Sequence, residues 1–314
     1  MPEKYSMIKL KTVFITLFFF SKLPFIQAQG CSDAGFCSIG DIKTNGTQED
    51  SLPPNHLFFA GSFSVGQNGI NYLNPYIEYG HAFNNRFNAQ LKVTSQFSSG
   101  RLNDNFNLSD AIINARYLIL KDRNKLSITT GIKFPLNNAN AKNENGLSLP
   151  LEYQSSLGTV DYILGVSYFL KSHWEFSTAI QLPVFNFNDN SFSPADYTPA
   201  DADGFSPTNK FRRAPDILLR VGYKIKIGSR LKARPNLLSI YHLANDSYED
   251  AKGNKNIISG SAGITLNAGL ILTYKVNKIS AVEFTAAAPF VVREKRPDGL
   301  TRSVVTNFEY KIYF

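Results

Sequence analysis

The sequence predicts an all-β protein, a transmembrane, antiparallel, up-and-down β-barrel of about twelve strands. Three observations predict it. From His56 onward the chain alternates apolar and polar residues with period two, the repeat of a strand with unlike surroundings on its two faces. Tight turns alternate with mostly longer connections, as they do between the two rims of an outer-membrane barrel. The composition combines 25 Phe and 15 Tyr with only 18% charged residues and a mean hydropathy of −0.18. That balance suits neither a disordered chain nor a bundle of apolar membrane helices.

The elements follow in order. Residues 1–28 read as a signal peptide: Lys4, Lys9 and Lys11 form a positive region, Val13 to Phe20 a short apolar run, and Ile26-Gln27-Ala28 a cleavage site. The apolar run is too short for a membrane anchor. Without these residues, which include four Lys and one Glu, the net charge falls from +8 to +5. So mild an excess on an exported chain argues against a nucleic-acid partner. Residues 29–55 form a periplasmic segment, a candidate plug. Cys31 and Cys37 within it are a disulfide candidate in an oxidising compartment, with lipid attachment at Cys31 as the alternative.

Residues 56–314 form the barrel. The predicted strands are 56–67, 70–83, 86–98, 110–121, 125–136, 161–171, 173–185, 215–227, 231–243, 260–276, 279–292 and 301–314. In 260–276, Ile264, Leu266, Leu270, Leu272 and Tyr274 share one face, while Thr265, Asn267, Thr273 and Lys275 share the other. Tight turns fall near Asn84, Asp122, Ser172, Gly228 and Asn277, on the periplasmic side. Longer connections at 98–109, 137–160, 186–214, 244–259 and 293–300 face outside, and the first outer connection, near Gln67–Gly69, is short. A soluble sandwich gives no reason for such alternation, and its strands usually run to five or six residues.

Three hairpins repeat a pattern, with Asp110, Asp161 and Asp216 each followed seven residues later by Tyr117, Tyr168 and Tyr223. Seven tilted residues descend roughly 16 Å, which places the aspartates near the outer rim facing the lumen. It also places the tyrosines on the lipid face near the periplasmic headgroups, in an aromatic belt. Pro135, Pro183 and Pro289 are expected at outer-rim bulges, where ladder bonds end.

The segments LGTVDYILGVSY, RRAPDILLRVGY and IQLPVFNF resemble the outer-membrane phenol-degradation-pathway (MetA-like) transporters, a branch of the long-chain fatty acid transporter-like barrels. The likeness covers about residues 86–314. It implies a barrel, an N-terminal stretch able to enter the lumen, and passive movement of small, hydrophobic or amphipathic solutes. Twelve strands is fewer than the fourteen typical of the fatty-acid barrels. The Cys31–Cys37 segment, the Asn-rich loops and Asp50-Ser51-Leu52, which resembles a short O-glycosylation motif, are similar to exported proteins of the Gram-negative Bacteroidetes. The terminal aromatic Phe314 resembles the signal read by the barrel assembly machinery.

Strand parity assigns Lys92, Arg116, Lys133, Arg220, Lys224 and Lys275 to the lumen, with Asp110, Asp161, Asp216, Glu175, Glu283 and Glu309. One reading is a ladder of charges, acidic at the outer mouth and basic below, that guides a solute. The other is a lumen zipped shut by mutual salt bridges. Catalysis is not expected. A barrel lipid hydrolase needs a Ser–His pair, and among His56, His81, His173 and His242 the best candidate, His242, lies three residues from Ser239 and so on the opposite strand face. No metal site and no cofactor are expected. The expectation is an outer-membrane channel in a lipid bilayer, with a closed scaffold or assembly partner as the alternative. The long loop 186–214 folds inward as a constriction or outward as a docking surface.

Overall fold

The computed structural model describes residues 53–122, 124–171, 173–299 and 302–314. The signal peptide, Cys31, Cys37 and almost all of the candidate plug lie outside the described residues.

The barrel begins with β1 (Asn55–Gly66), β2 (Asn71–Ala82), β3 (Phe87–Ser99), β4 (Asp104–Leu120) and β5 (Lys125–Pro135). It continues through β6 (Thr159–Leu170), β7 (Trp174–Asn186) and β8 (Asp216–Tyr223), which β9 (Ile225–Ile227) extends along the same partner, β10 (Leu231–His242). A small outer hairpin, β11 (Ser247–Glu249) with β12 (Lys255–Ile257), precedes β13 (Gly263–Lys275), β14 (Ser280–Val291) and β15 (Arg302–Tyr313). Each barrel strand pairs antiparallel with its neighbour, and β1 pairs with β15, so twelve strand positions close into a barrel. Closure satisfies every ladder and leaves no edge, which the bilayer requires.

Apolar residues of alternate parity are exposed on the outside. Ile113 and Tyr117 on β4, Leu164 and Val166 on β6, and Ile264, Leu270 and Tyr274 on β13 are examples. A membrane buries this band. At its periplasmic edge Trp174 meets Tyr223 edge-on, 4.8 Å between centroids, and His173 stacks on Tyr223, forming part of the expected aromatic belt. The prolines mark irregular register as expected. Pro183 faces Asp161 beside a register shift at Val160, Pro289 faces Asn267 beside a shift at Leu266, and Pro135 makes the last pair of its ladder, with Asp110.

One expected loop is replaced by strand. Residues Asp104–Leu108 pair with Ser95–Ser99, so the connection narrows to 100–103 and the hairpin projects outward. Alternation continues through Asn105, Phe106, Asn107 and Leu108, but a bulge at Ser109 breaks its phase, and the abundance of Asn hides the strand.

The other outer connections form a cap with its own apolar core. Ile70, Tyr72, Leu149, Tyr153, Phe192 and Phe205 make one buried cluster, and Ala139, Leu151, Leu157, Phe211 and Ile258 another. Loop 136–158 is the inner layer. The Gln154 carbonyl accepts from Gln96 Nε2 at 2.9 Å, and the Tyr153 carbonyl accepts from Ser98 Oγ at 3.0 Å. Loop 187–215 packs over it, with Asn190 Nδ2 donating to the Ala139 and Leu149 carbonyls. The longest loop therefore joins the cap. Gly299 closes the packing: at φ +66°, a Cβ there would sit 2.8 Å from Glu152 Cα, so only glycine lets loop 292–299 lie this close.

Candidate functional site

The interior has three levels: a charged latch under the cap, a cavity, and an ionic chain toward the periplasm.

The latch is built where loops meet the strand ends. Arg213 ion-pairs with Asp216 at the start of β8, and its Nε lies 3.6 Å from Asp298. Arg293 holds Asp298 at 2.8 Å and donates to the Ser261 carbonyl at 2.7 Å. His242, at the end of β10, places Nδ1 2.6 Å from Asp216 and Nε2 2.8 Å from Asp246. Both contacts are donated at once only by the doubly protonated ring. With both nitrogens occupied by carboxylates, His242 has no place for a serine nucleophile. In the loops, Asp298 lies well below the usual carboxylate range because Arg293 and Arg213 outweigh its burial. Arg213 is held above its ordinary value by Asp216 and Asp298, against the effect of burial.

Glu152, in the short helix Leu151–Tyr153 of the inner loop, is the outlier. Burial pushes its carboxyl up to about 8, with the Asp298 charge adding to the rise. The neutral acid is therefore the form the cap accommodates. Because its pKa is raised on folding, the folded cap holds more protons than the open one between the ordinary value and about 8. Cap stability then falls as pH rises through that window, by roughly 1.4 kcal/mol per unit. Proteolysis of loops 136–158 and 187–215 in intact outer membranes is expected to accelerate from pH 6 to pH 8. Glu152→Gln should flatten that dependence, and an unchanged slope in the variant would remove Glu152 as its source.

Below the latch, Lys133 bridges Asp110 (3.6 Å) and Asp161 (3.2 Å), while Asp161 also accepts from Gln181 and Asp110 from Ser156. The three repeat aspartates thus sit at the outer end of the lumen, and each is paired with a cation. Beneath them lies a cavity of about 110 Å³. Its wall is mixed: Ile112, Leu238, Ile271 and Val305 alternate with Lys92, Lys133, Arg220, Asp110 and Tyr76, Ile112 lying between Lys92 and Lys133 and Leu238 opposite Arg220. Its apolar residues continue into a buried stripe of Ile163, Ala179 and Leu218. Lys92 lies over the Tyr76 ring, 3.4 Å from its centroid.

The third level is a chain of ion pairs across the barrel. Arg234 lies 3.9 Å from Glu175 and 3.7 Å from Glu283, and Lys311 lies 3.0 Å from Glu283 and 3.2 Å from Glu309. Glu309 accepts from the Tyr76 hydroxyl at 2.5 Å. Arg116 is buried in the lumen, whereas Lys224 and Lys275 are half-buried at its periplasmic end.

Sequence reasoning missed Glu152, Asp246, Arg293 and Asp298, which lie in irregular loops where periodicity carries no signal. It placed Arg213 in a loop, although its position three residues before Asp216 was a usable cue. It put Lys311 on the polar face of the last strand with Glu309, and passed over Arg234, which the parity of 231–243 places inside.

No family model matches the chain, and no curated protein matches it. Among solved structures it is similar to an outer membrane channel from Pseudomonas putida F1, at 12% identity and a TM-score of 0.54, over 84% of this chain and 96% of that one. It is also similar to the KdgM porin (9% identity, TM-score 0.44, 82% and 99% covered). The CymD monoaromatic hydrocarbon channel is a further neighbour (10%, TM-score 0.43, 93% and 99%). The first likeness shows the fold, and with the closed sheet and apolar belt it identifies an outer-membrane barrel.

Proposed function

We propose that the protein is a passive outer-membrane channel for small amphipathic solutes, closed at rest by its cap, and that it is not an enzyme. The observation that carries this reading is the cavity in the middle of the barrel, where apolar and charged side chains stand side by side: Ile112 lies between Lys92 and Lys133 on the ladder, and Leu238 opposes Arg220. A solute with an apolar body and a polar end satisfies both kinds of lining, whereas a water-filled porin needs no apolar stripe. The cap is held by side chains and hydrogen bonds, so it can open without breaking the barrel. The hairpin likeness to the phenol-degradation-pathway transporters supports the same reading, and the likeness to the Pseudomonas outer membrane channel supports its channel part. Residues 29–55 are proposed as a second, periplasmic closure.

Single-channel recording of the mature protein, beside a version lacking residues 29–52, tests this. Brief conductance steps are expected, lengthened by the truncation. Proteoliposomes should take up benzyl alcohol, and Ile271→Gln, which places an amide among the apolar lining residues, should slow uptake about 5–30-fold, the equivalent of 1–2 kcal/mol of lost apolar contact. Silence in both bilayer records with no uptake would replace the channel by a closed scaffold.

A further inference from the structure

The periplasmic mouth carries an unusual density of positive charge. Tyr223, Ile225 and Ile227 face lipid, so Lys224 and Lys226 between them share the inner parity of the buried Arg220. Across the ladder Lys226 stands directly opposite Lys232, a like-charge pair on one face of a sheet. Lys232 in turn opposes Thr273, which places Lys275 at the adjoining diagonal. Lys125 holds the same parity on β5, two residues below the buried Ser127. Among the described residues of the periplasmic turns Asp122 is the sole side-chain carboxylate, and Glu175, the second residue of β7, is close enough to interact with Lys224.

Like charges placed directly opposite destabilise a sheet. Here the arrangement spans three neighbouring strands and points into one opening with low-dielectric walls, the geometry that concentrates counter-ions. Farther in, cations and carboxylates alternate: Arg220 lies near Glu175, Lys92 stands opposite the buried Glu78, and Lys133 bridges Asp110 and Asp161, so the excess of positive charge is at the mouth. We propose that the amphipathic solute of this channel is an organic anion, gathered by the lysine cluster at the periplasmic mouth and seated in the cavity with its charged end beside Lys92 and Arg220. The inference rests on the channel reading and specifies its substrate class.

Two arms test it with the mature protein. In planar bilayers at low salt, where the Debye length is about 10 Å, a KCl gradient should give a reversal potential of the sign set by chloride. The double variant Lys226→Glu/Lys232→Glu should lower the chloride-to-potassium permeability ratio about tenfold. A cation-selective wild type, or a variant with unchanged selectivity, overturns the proposal. Equilibrium dialysis of the detergent-solubilised protein against labelled benzoate and benzyl alcohol does not require an open pore. Benzoate retained about tenfold over the alcohol, and lost in the double variant, supports the anion assignment even if no conductance steps appear, in which case only the channel reading fails. Equal retention of the two overturns the assignment, whether or not the barrel conducts. Heat-modifiable migration on gels identifies variants that have folded, and Lys226→Gln/Lys232→Gln serves if the glutamates prevent assembly.

Discussion

Replacing Arg213 by methionine is expected to release the extracellular cap. The Arg213 side chain is only 2% exposed and faces both Asp216, on the barrel wall, and Asp298, in the loop before β15. It therefore fastens three pieces at once: its own loop 187–215, the strand β8 and loop 292–299. Methionine fills most of the volume but leaves two carboxylates in a dry site with less compensation. Breaking a buried pair in this way costs about 3–5 kcal/mol. Asp298 keeps Arg293 at 2.8 Å and Asp216 keeps His242 at 2.6 Å, so the loss should fall chiefly on the loop that carried the arginine. External protease is expected to cut within 187–215 at least tenfold faster, and bilayer recordings to show longer openings, while the barrel keeps its heat-modifiable migration. Wild-type values for both would show that the apolar clusters hold the cap alone.

Glu283→Ala is expected to have the second large effect, inside the barrel. Glu283 is 1% exposed and serves Arg234, Lys311 and the Thr273 hydroxyl together. Removing it leaves two buried cations with one carboxylate each, Arg234 with Glu175 and Lys311 with Glu309, and an excess positive charge in the lumen, again at about 3–5 kcal/mol. The urea midpoint for unfolding from liposomes should fall accordingly. Glu283→Gln combined with Lys311→Met should recover much of the loss, because a neutral pair is less costly to bury than an unbalanced charge. A double-mutant cycle over the two sites would report that coupling, and additive effects would dissolve the chain of ion pairs into independent contacts.

The contrast between these two sites shows how far sequence reasoning reaches. The inner chain lies on regular strands, where parity assigned Glu175, Glu283 and Glu309 to the interior, and all three are buried there. The strands themselves were readable for the same reason: one face meets lipid and the other the lumen, so residue type alternates. The latch lies where the chain leaves that regularity. Glu152 and Asp298 meet across 146 residues only because loops 136–158 and 292–299 pack at Gly299, and nothing local in the sequence announces that encounter. The misplaced connection before β4 has an intermediate cause, a single bulge that shifts the phase of an otherwise regular pattern.

The seam between the first and last strands carries a consequence of a different kind. β1 pairs with β15 through ten residue couples, among them Leu57 with Ile312 and Gly61 with Phe308, and Asn55 and Phe314 exchange both backbone hydrogen bonds. Every one of these contacts spans more than 230 residues. A chain still emerging from its synthesis or secretion machinery can pair β1 with β2 and so on in order, but it cannot complete the cylinder until its last dozen residues arrive. Until then two strand edges stand open, and open edges are templates for association with other chains. The slow, late event in the life of this protein is thus the meeting of its two ends, and a chain cut short by a single strand is committed to aggregation or disposal rather than to a smaller barrel.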